Sequence, residues 1–358
     1  MYRNTKNVPY YVFGRGSLAQ LGDLLKPRRE AVDGPVVYFV DHFFRDHELI
    51  GRLPMEKGDQ LHFVDSSSEP EVTRIDAFKE AVSAADSRHP LLRRGHRRGN
   101  ALDTAKAVAN LLTNPGKAED YQGWELVKNP AVYKIGIPTL SGTGSECSRT
   151  CVLTNIPKNL KLGMNSDYTV YDQLLLDPDL LATVPRNQYF YTGIDTFMHC
   201  IESLQGSYRN AIIDAFSVRA VQLCEEIFLS DDMMSEENRE KMMIASYIGG
   251  MAAGNVGVIH PFSAGLGVVL HVAHGLGNCL ALNVLGDIYP KEYKQFRTMI
   301  ERQGVSLPTG ICKDLTEEQY DGLYRGCIVH EKPLTNALGP GFKQILTKEN
   351  LIERYKSI

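Results

Sequence analysis

The chain has 358 residues, 43% of them hydrophobic and 23% charged, which is the make-up of an ordinary globular protein and long enough for two domains. Thirty-nine basic residues against forty-three acidic ones give a net charge of -4, and this balance argues against a broad electrostatic footprint for nucleic acid. Seven cysteines without a CxxC pair, together with the lack of a signal-peptide or membrane-length apolar run, point to free thiols, no membrane partner and a cytoplasmic location.

In chain order, Ser17 to Gln20 has the spacing of a capping box that opens an early helix. PVVYFVD (35–41) and QLHFVD (60–65) predict buried strands, and RIDAFKEAVSAA (74–85) predicts a helix. Asp41 ends the first of these strands, where a dinucleotide fold accepts hydrogen bonds from the adenosine ribose and disfavours a 2′-phosphate; a turn aspartate is the plainer reading. ALDTAKAVANLL (101–112) predicts an amphipathic helix and YKIGIPT (133–139) another strand. That strand runs into IPTLSGTGSE (137–146), where hydroxyls and glycines could line a cofactor without obstruction, or form a surface loop.

From about residue 185 the strand runs vanish. Ile194, Phe197, Met198, Ile201 and Leu204 recur at helical spacing, and the pattern continues through 214–229, 238–254 and 316–326, the last opened by a capping box from Thr316 to Gln319. The expected fold is an α/β dinucleotide-binding domain with a parallel sheet (1–184) followed by an all-α C-terminal domain (185–358).

Asp195 and His199 lie four apart, hence on one helix face beside the apolar stripe. A buried carboxylate next to an imidazole needs a partner, which a divalent cation or a plain Asp–His hydrogen bond would supply. His260 and His274 join them, with His271 nearby. Fourteen residues of straight helix span about 21 Å, so one ion reaches both only if the chain breaks, and Pro261, Gly265 and Gly267 offer places. One Asp and three His suit zinc or ferrous iron better than magnesium or calcium. His271 by itself reads as a core histidine.

Together these pieces resemble the iron-containing (group III) alcohol dehydrogenases, which share a fold with dehydroquinate synthase and glycerol dehydrogenase. The resemblance runs over nearly the whole chain, through FGRGSLAQLG, GNALDTAK, IPTLSGTGSE, LLLDPDLLATVP, TGIDTFMHCIES, GGMAAGNVGVIHPFSAGLG and HVAHGLGN. It implies metal ligands at Asp195, His199, His260 and His274. A phosphate loop is implied over Gly95 to Asn100, including Gly99 and followed by Asp103 and Lys106. Thr139, Ser141, Thr143 and Ser148 are implied beside the nicotinamide, and Lys161 as a cofactor-side lysine. The implied cofactors are NAD, with Asp41 on its ribose, and one divalent metal, Fe2+ or Zn2+. The implied reaction is oxidation of a small-molecule primary alcohol, the metal lowering the pKa of its hydroxyl while hydride passes to the nicotinamide. A homo-oligomer, a dimer, is expected.

Two departures stand out. The family's usual second histidine is Ala264 here, which leaves His271 as the candidate proton relay. Ala264, YQGW (121–124) and NSDYTVYDQ (165–173) resemble the 3-deoxy-α-D-manno-octulosonate (Kdo) 8-oxidase branch and imply a sugar-acid substrate. A short-chain alcohol or diol, or a cyclase of the dehydroquinate synthase kind with bound NAD, are the alternatives. The second departure is LLRRGHRRGN (91–100). The family reads G-x-G-G-G-S here. Registered on Asp103 and Lys106, Arg97 and Arg98 take two glycine positions, where backbone N–H groups must approach a pyrophosphate closely. Leu91 and Leu92 are also too few for a buried strand. Residues 87–98 therefore read as a reading-frame slip in the gene sequence or a real lesion, not as a nucleic-acid site.

Overall fold

The computed structural model describes residues 6–32, 34–66, 69–85, 91–93, 100–158 and 160–358. They form two compact units, Met1–Leu140 with Ser145–Thr183, and Ser141–Gly144 with Val184–Ile358.

The first unit is built on a six-stranded sheet with strand order β1 (Tyr10–Phe13), β9 (Gln173–Leu176), β6 (Lys134–Gly136), β4 (Leu91–Arg93), β2 (Val36–Asp41) and β3 (Gln60–Val64). Every pairing in it is parallel. The α-helices of this unit among the described residues are α1 (Leu21–Ala31), α2 (Val72–Ala85) and α3 (Asn100–Leu111). All of β2 is buried, because the sheet is covered on both faces. Val37 and Phe39 point into a core with Val72 and Ile75 of α2 and Ala101, Ala105 and Val108 of α3. Val36, Tyr38 and Val40, on the alternate face, meet Leu18, Leu21 and Leu25. A second sheet holds β5 (Gly123–Trp124), β8 (Leu160–Asn165) and β7 (Thr150–Asn155), in that order, with β7 and β8 antiparallel.

Several expectations need correcting. Ser17 does not cap a helix: Gly16 holds the N-cap position of a short 3-10 turn, and the Ser17 hydroxyl instead donates to the Leu176 carbonyl. The helix α3 forms as expected, but burial does not stop at its apolar stripe: all of it except Asp103 is buried. Its polar residues are met by specific bonds, such as that from Asn110 Nδ2 to Thr169 Oγ1 (2.9 Å). The strand read as damaged exists: Leu91–Arg93 pairs with Val36–Tyr38 on one side and with Lys134 and Ile135 on the other. Gly95, Arg97, Arg98 and Gly99 lie outside the described residues.

The second unit shows helices and no strand among its described residues. They include α4 (Arg186–Gln205), α5 (Ala211–Phe228), α6 (Glu236–Gly249), α7 (Ile259–Leu270), α8 (His274–Val284), α9 (Pro290–Gln303) and α10 (Glu317–Ile328). The Thr316–Gln319 capping box is formed. No single described helix is long and apolar enough to cross a membrane. Ser141–Gly144, grouped by sequence with the N-terminal part, packs here: Gly142 N–H donates to Ser246 Oγ at 2.7 Å, and Thr196 Oγ1 to the Gly142 carbonyl at 2.7 Å.

The break between His260 and His274 is real but falls elsewhere than expected. Helix α7 runs through Pro261, Gly265 and Gly267 and ends at His271, whose φ of 55° is left-handed. Pro261 is third in the helix, where an N–H has no intrahelical partner to lose. Gly265 serves packing instead: a Cβ there would lie 2.7 Å from the Leu323 carbonyl of α10.

Candidate metal centre and cofactor residues

Helix α4 carries Asp195 and His199 on one face, α7 carries His260 in its first turn, and α8 opens with His274. One ligand atom from each can be chosen so that all four lie within 4.8 Å of one another. His260 Nε2 is 3.2 Å from Asp195 Oδ1, His274 Nε2 is 3.6 Å from Asp195 Oδ2, and His199 Nε2 is 3.9 Å from Asp195 Oδ1. The His199 and His260 rings stack with centroids 4.5 Å apart. Asp195 is fully buried and His199 nearly so.

Buried Asp195 Oδ2, His199 Nδ1 and Asn278 Oδ1 have no hydrogen-bond partner. Leaving such atoms unmet costs about 1–3 kcal/mol each, and a cation at the common point would satisfy the carboxylate. Burial pushes the Asp195 carboxyl up, but His199, His274 and His260 outweigh it and hold the pKa well below the usual carboxylate range. Burial drives His199 down to about 3 against the attraction of Asp195. At His260 burial also lowers the pKa, but Glu202 and Asp195 prevail and lift it to about 9. One carboxylate and three converging imidazoles are a donor set that fits a divalent ion of the zinc or ferrous type.

Two residues here were not anticipated. Glu202, one turn beyond His199 on α4, meets His260 Nδ1 at 2.5 Å. Asn278, four after His274 on α8, donates to Asp195 Oδ1 at 2.6 Å and lies 3.3 Å from both His260 Nε2 and His274 Nε2. Both followed from the spacing already used, i+7 from Asp195 and i+4 from His274. His271 is exposed and is not among the four converging residues.

The expected cofactor residues fall into separate clusters. Asp41 is buried at the end of β2, where Phe43 N–H (2.8 Å) and Ser66 Oγ (2.6 Å) donate to its carboxylate. Asn100 reaches the Ser66 carbonyl at 3.5 Å, which brings it to the same place. Asp103 accepts from Ser145 Oγ and from Val152 N–H. Buried Lys106 donates to the Ser148 and Thr150 carbonyls at 2.9 and 2.8 Å. Lys161 is paired with Glu69 at 3.0 Å. Thr139 is buried in the first unit, and Ser141 and Thr143 belong to the second, the Ser141 hydroxyl being buried with no hydrogen-bond partner. The glycines of this loop do more than clear space. Gly142 and Gly144 have φ of +143° and +65°, and a Cβ would lie 1.7 Å from the Thr192 carbonyl at the first and 2.2 Å from the Gly250 Cα at the second.

The chain thus has a parallel α/β unit and a helical unit, and the second gathers one aspartate and three histidines around a point. The pattern described as "Iron-containing alcohol dehydrogenase" matches residues 9–178, and "Fe-containing alcohol dehydrogenase family, C-terminal" matches residues 189–321. The chain belongs to the iron-containing alcohol dehydrogenase family. It is similar to a sulfoacetaldehyde reductase of Bilophila wadsworthia, 38% identical over 184 residues, which is 50% of this chain and 47% of that protein. It is also similar to an NAD-dependent methanol dehydrogenase of Bacillus methanolicus, 29% identical over 282 residues, 75% of this chain and 71% of the relative. The chain thus spans about half the length of the first and 71% of the second. Among solved structures, a sulfoacetaldehyde reductase from Bifidobacterium kashiwanohense in complex with NAD+ shares the fold, with TM-score 0.80 and 23% identity over 99% of this chain and 98% of that one.

Proposed function

We propose that the chain is an NAD-dependent, metal-dependent alcohol dehydrogenase acting on a primary alcohol, or on the aldehyde in reverse. The observation that carries this reading is the convergence of Asp195, His199, His260 and His274 from three helices within 4.8 Å. These four would hold one Fe2+ or Zn2+ ion, whose Lewis acidity lowers the pKa of a substrate hydroxyl. NAD supplies the hydride acceptor. The chain's own part is to position and exclude water. Buried Asp195 brings the negative charge that keeps a cation in a dry site, and the imidazoles leave a nitrogen each for coordination. On the cofactor side we assign Asp41, Gly95, Gly99, Asn100, Asp103, Thr139, Ser141, Thr143, Ser148 and Lys161, with NAD favoured over NADP because Asp41 would repel a 2′-phosphate. His271, exposed beside the mouth of α8, is assigned as the group that exchanges the alcohol proton with water in place of the histidine missing at Ala264.

For the substrate, Ala264 and the YQGW and NSDYTVYDQ stretches favour a sugar acid such as Kdo. Much of those stretches is engaged within its own unit, Tyr171 Oη donating to the Leu102 carbonyl and Gln122 Nε2 to the Leu153 carbonyl. A small aldehyde carrying a sulfonate is the second reading, favoured by the 38% identity to the sulfoacetaldehyde reductase. A homodimer is part of the proposal, supported by β1 as the terminal strand of its sheet, with Tyr10 66% and Tyr11 58% exposed. The test is NADH formation by metal-loaded protein from Kdo, 2-hydroxyethanesulfonate, ethanol, 1,2-propanediol and 1,4-butanediol. Net NADH from any of them supports the dehydrogenase, and the preferred one names the substrate class. No net NADH from all five, with turnover of a cyclase substrate under bound NAD, overturns it. His271→Ala is expected to lower kcat about 10²-fold or more if that imidazole moves the proton.

A further inference from the structure

A metal-ligating histidine works only if the right ring nitrogen carries the lone pair, and something must hold the proton on the other one. His260 presents Nε2 toward Asp195 at 3.2 Å and Nδ1 toward Glu202 Oε2 at 2.5 Å. Glu202 is itself fixed. Its side chain is fully buried, Ile259 N–H donates to Oε1 at 2.6 Å, and Tyr289 Oη donates to the same oxygen at 3.2 Å. The Tyr289 hydroxyl in turn accepts from Val258 N–H at 3.1 Å. Val258 is the N-cap of α7 and Ile259 its first residue, so the carboxylate sits on the positive end of the helix that carries His260. The backbone is shaped for this arrangement: a Cβ at Gly257 would lie 2.6 Å from Tyr289 Oη and 3.1 Å from Glu202 Oε1.

We infer that Glu202 is a positioning residue of the metal centre, a carboxylate that at once caps α7 and holds the His260 proton on Nδ1, leaving Nε2 to bind metal. The inference rests on the metal reading given above. A carboxylate suits the place because it is acceptor-only on both oxygens, matching three donors: Ile259 N–H, Tyr289 O–H and His260 Nδ1–H. An amide of the same shape cannot match them. Either its NH2 faces Ile259 and Tyr289, or it faces His260 and forces the ring proton to Nε2, where no metal can bind.

The test compares wild type, Glu202→Gln and Tyr289→Phe. Zn2+ affinity is measured by chelator competition and the protonated His260 nitrogen by long-range 1H–15N spectra of the Zn2+-loaded chain, where wild type is expected to keep the proton on Nδ1. Glu202→Gln is expected to weaken Zn2+ binding about 10- to 100-fold. Tyr289→Phe, which keeps the carboxylate–imidazole pair, is expected to stay within about threefold of wild type, well short of the loss that follows removal of a ligand's own partner. Unchanged Zn2+ affinity in Glu202→Gln overturns the inference while leaving the metal site standing. So does a Zn2+-loaded wild type whose His260 carries its proton on Nε2, a measurement that needs no variant to fold. A wild type that takes up no Zn2+ removes the metal reading and this inference with it.

Discussion

Asp41 ends β2 with its carboxylate already engaged by Phe43 N–H and Ser66 Oγ. A side chain held this way is a fixed negative charge, which is what a 2′-phosphate would meet and a ribose 2′-hydroxyl would welcome. Measured dissociation constants for the two dinucleotides should favour NAD, and Asp41→Gly should narrow the gap by weakening NAD and admitting NADP. Comparable binding of both by the wild type contradicts the assignment. The variant also loses two hydrogen bonds, so it should unfold about 1–3 kcal/mol more easily, which binding measurements below its unfolding temperature separate from the charge effect. At this scale the sequence was most legible where spacing and burial agree. Asp195 and His199 could be read because a four-residue interval and an apolar stripe both turn them inward. Glu202 lies seven residues after Asp195 on the same helix face but belongs to a residue type that is nearly always solvated, and its three donors are what identify it.

Elements were legible where periodicity is strong, as in β2, β3 and α4. They were not where close packing sets the geometry. Gly265 of α7 looks like a helix breaker and instead lets α10 approach, while the true break sits at His271, a residue with no turn signature. The β7–β8 hairpin was invisible because its strands, TCVLTN and LKLGMN, mix apolar and polar residues without the turn dipeptides that announce a hairpin. The loop before β7 gives the clearest test at this scale. Gly142→Ala places a Cβ 1.7 Å from the Thr192 carbonyl at a φ that only glycine adopts easily. Overpacking at about 1–3 kcal/mol adds to backbone strain of about 1–3 kcal/mol, so urea unfolding should show a loss of several kcal/mol or no folded protein. A change under about 0.5 kcal/mol, the usual range for an indifferent surface site, would mean the loop is not held against α4 as described.

For the whole molecule, the fold agrees with the family and the proposed metal residues converge, while the sequence around Arg97 and Arg98 departs from the glycine-rich pattern that the resemblance implies. Intact mass and peptide sequencing across residues 85–103 show whether the expressed chain carries these arginines. If it does, NAD should bind weakly, because guanidinium side chains would occupy space that backbone N–H groups need near a pyrophosphate. Confirmed arginines together with tight NAD binding would show that the loop works without its glycines.

The central claim is that four side chains from three helices hold one divalent ion. Elemental analysis of purified wild type, His260→Ala and His274→Ala, each checked for folding by circular dichroism, tests it most directly. About one Fe2+ or Zn2+ per wild-type chain and a loss of most of it in both variants is the predicted result, since each removes one of only four ligands. Wild-type metal content retained in both variants would contradict the quartet.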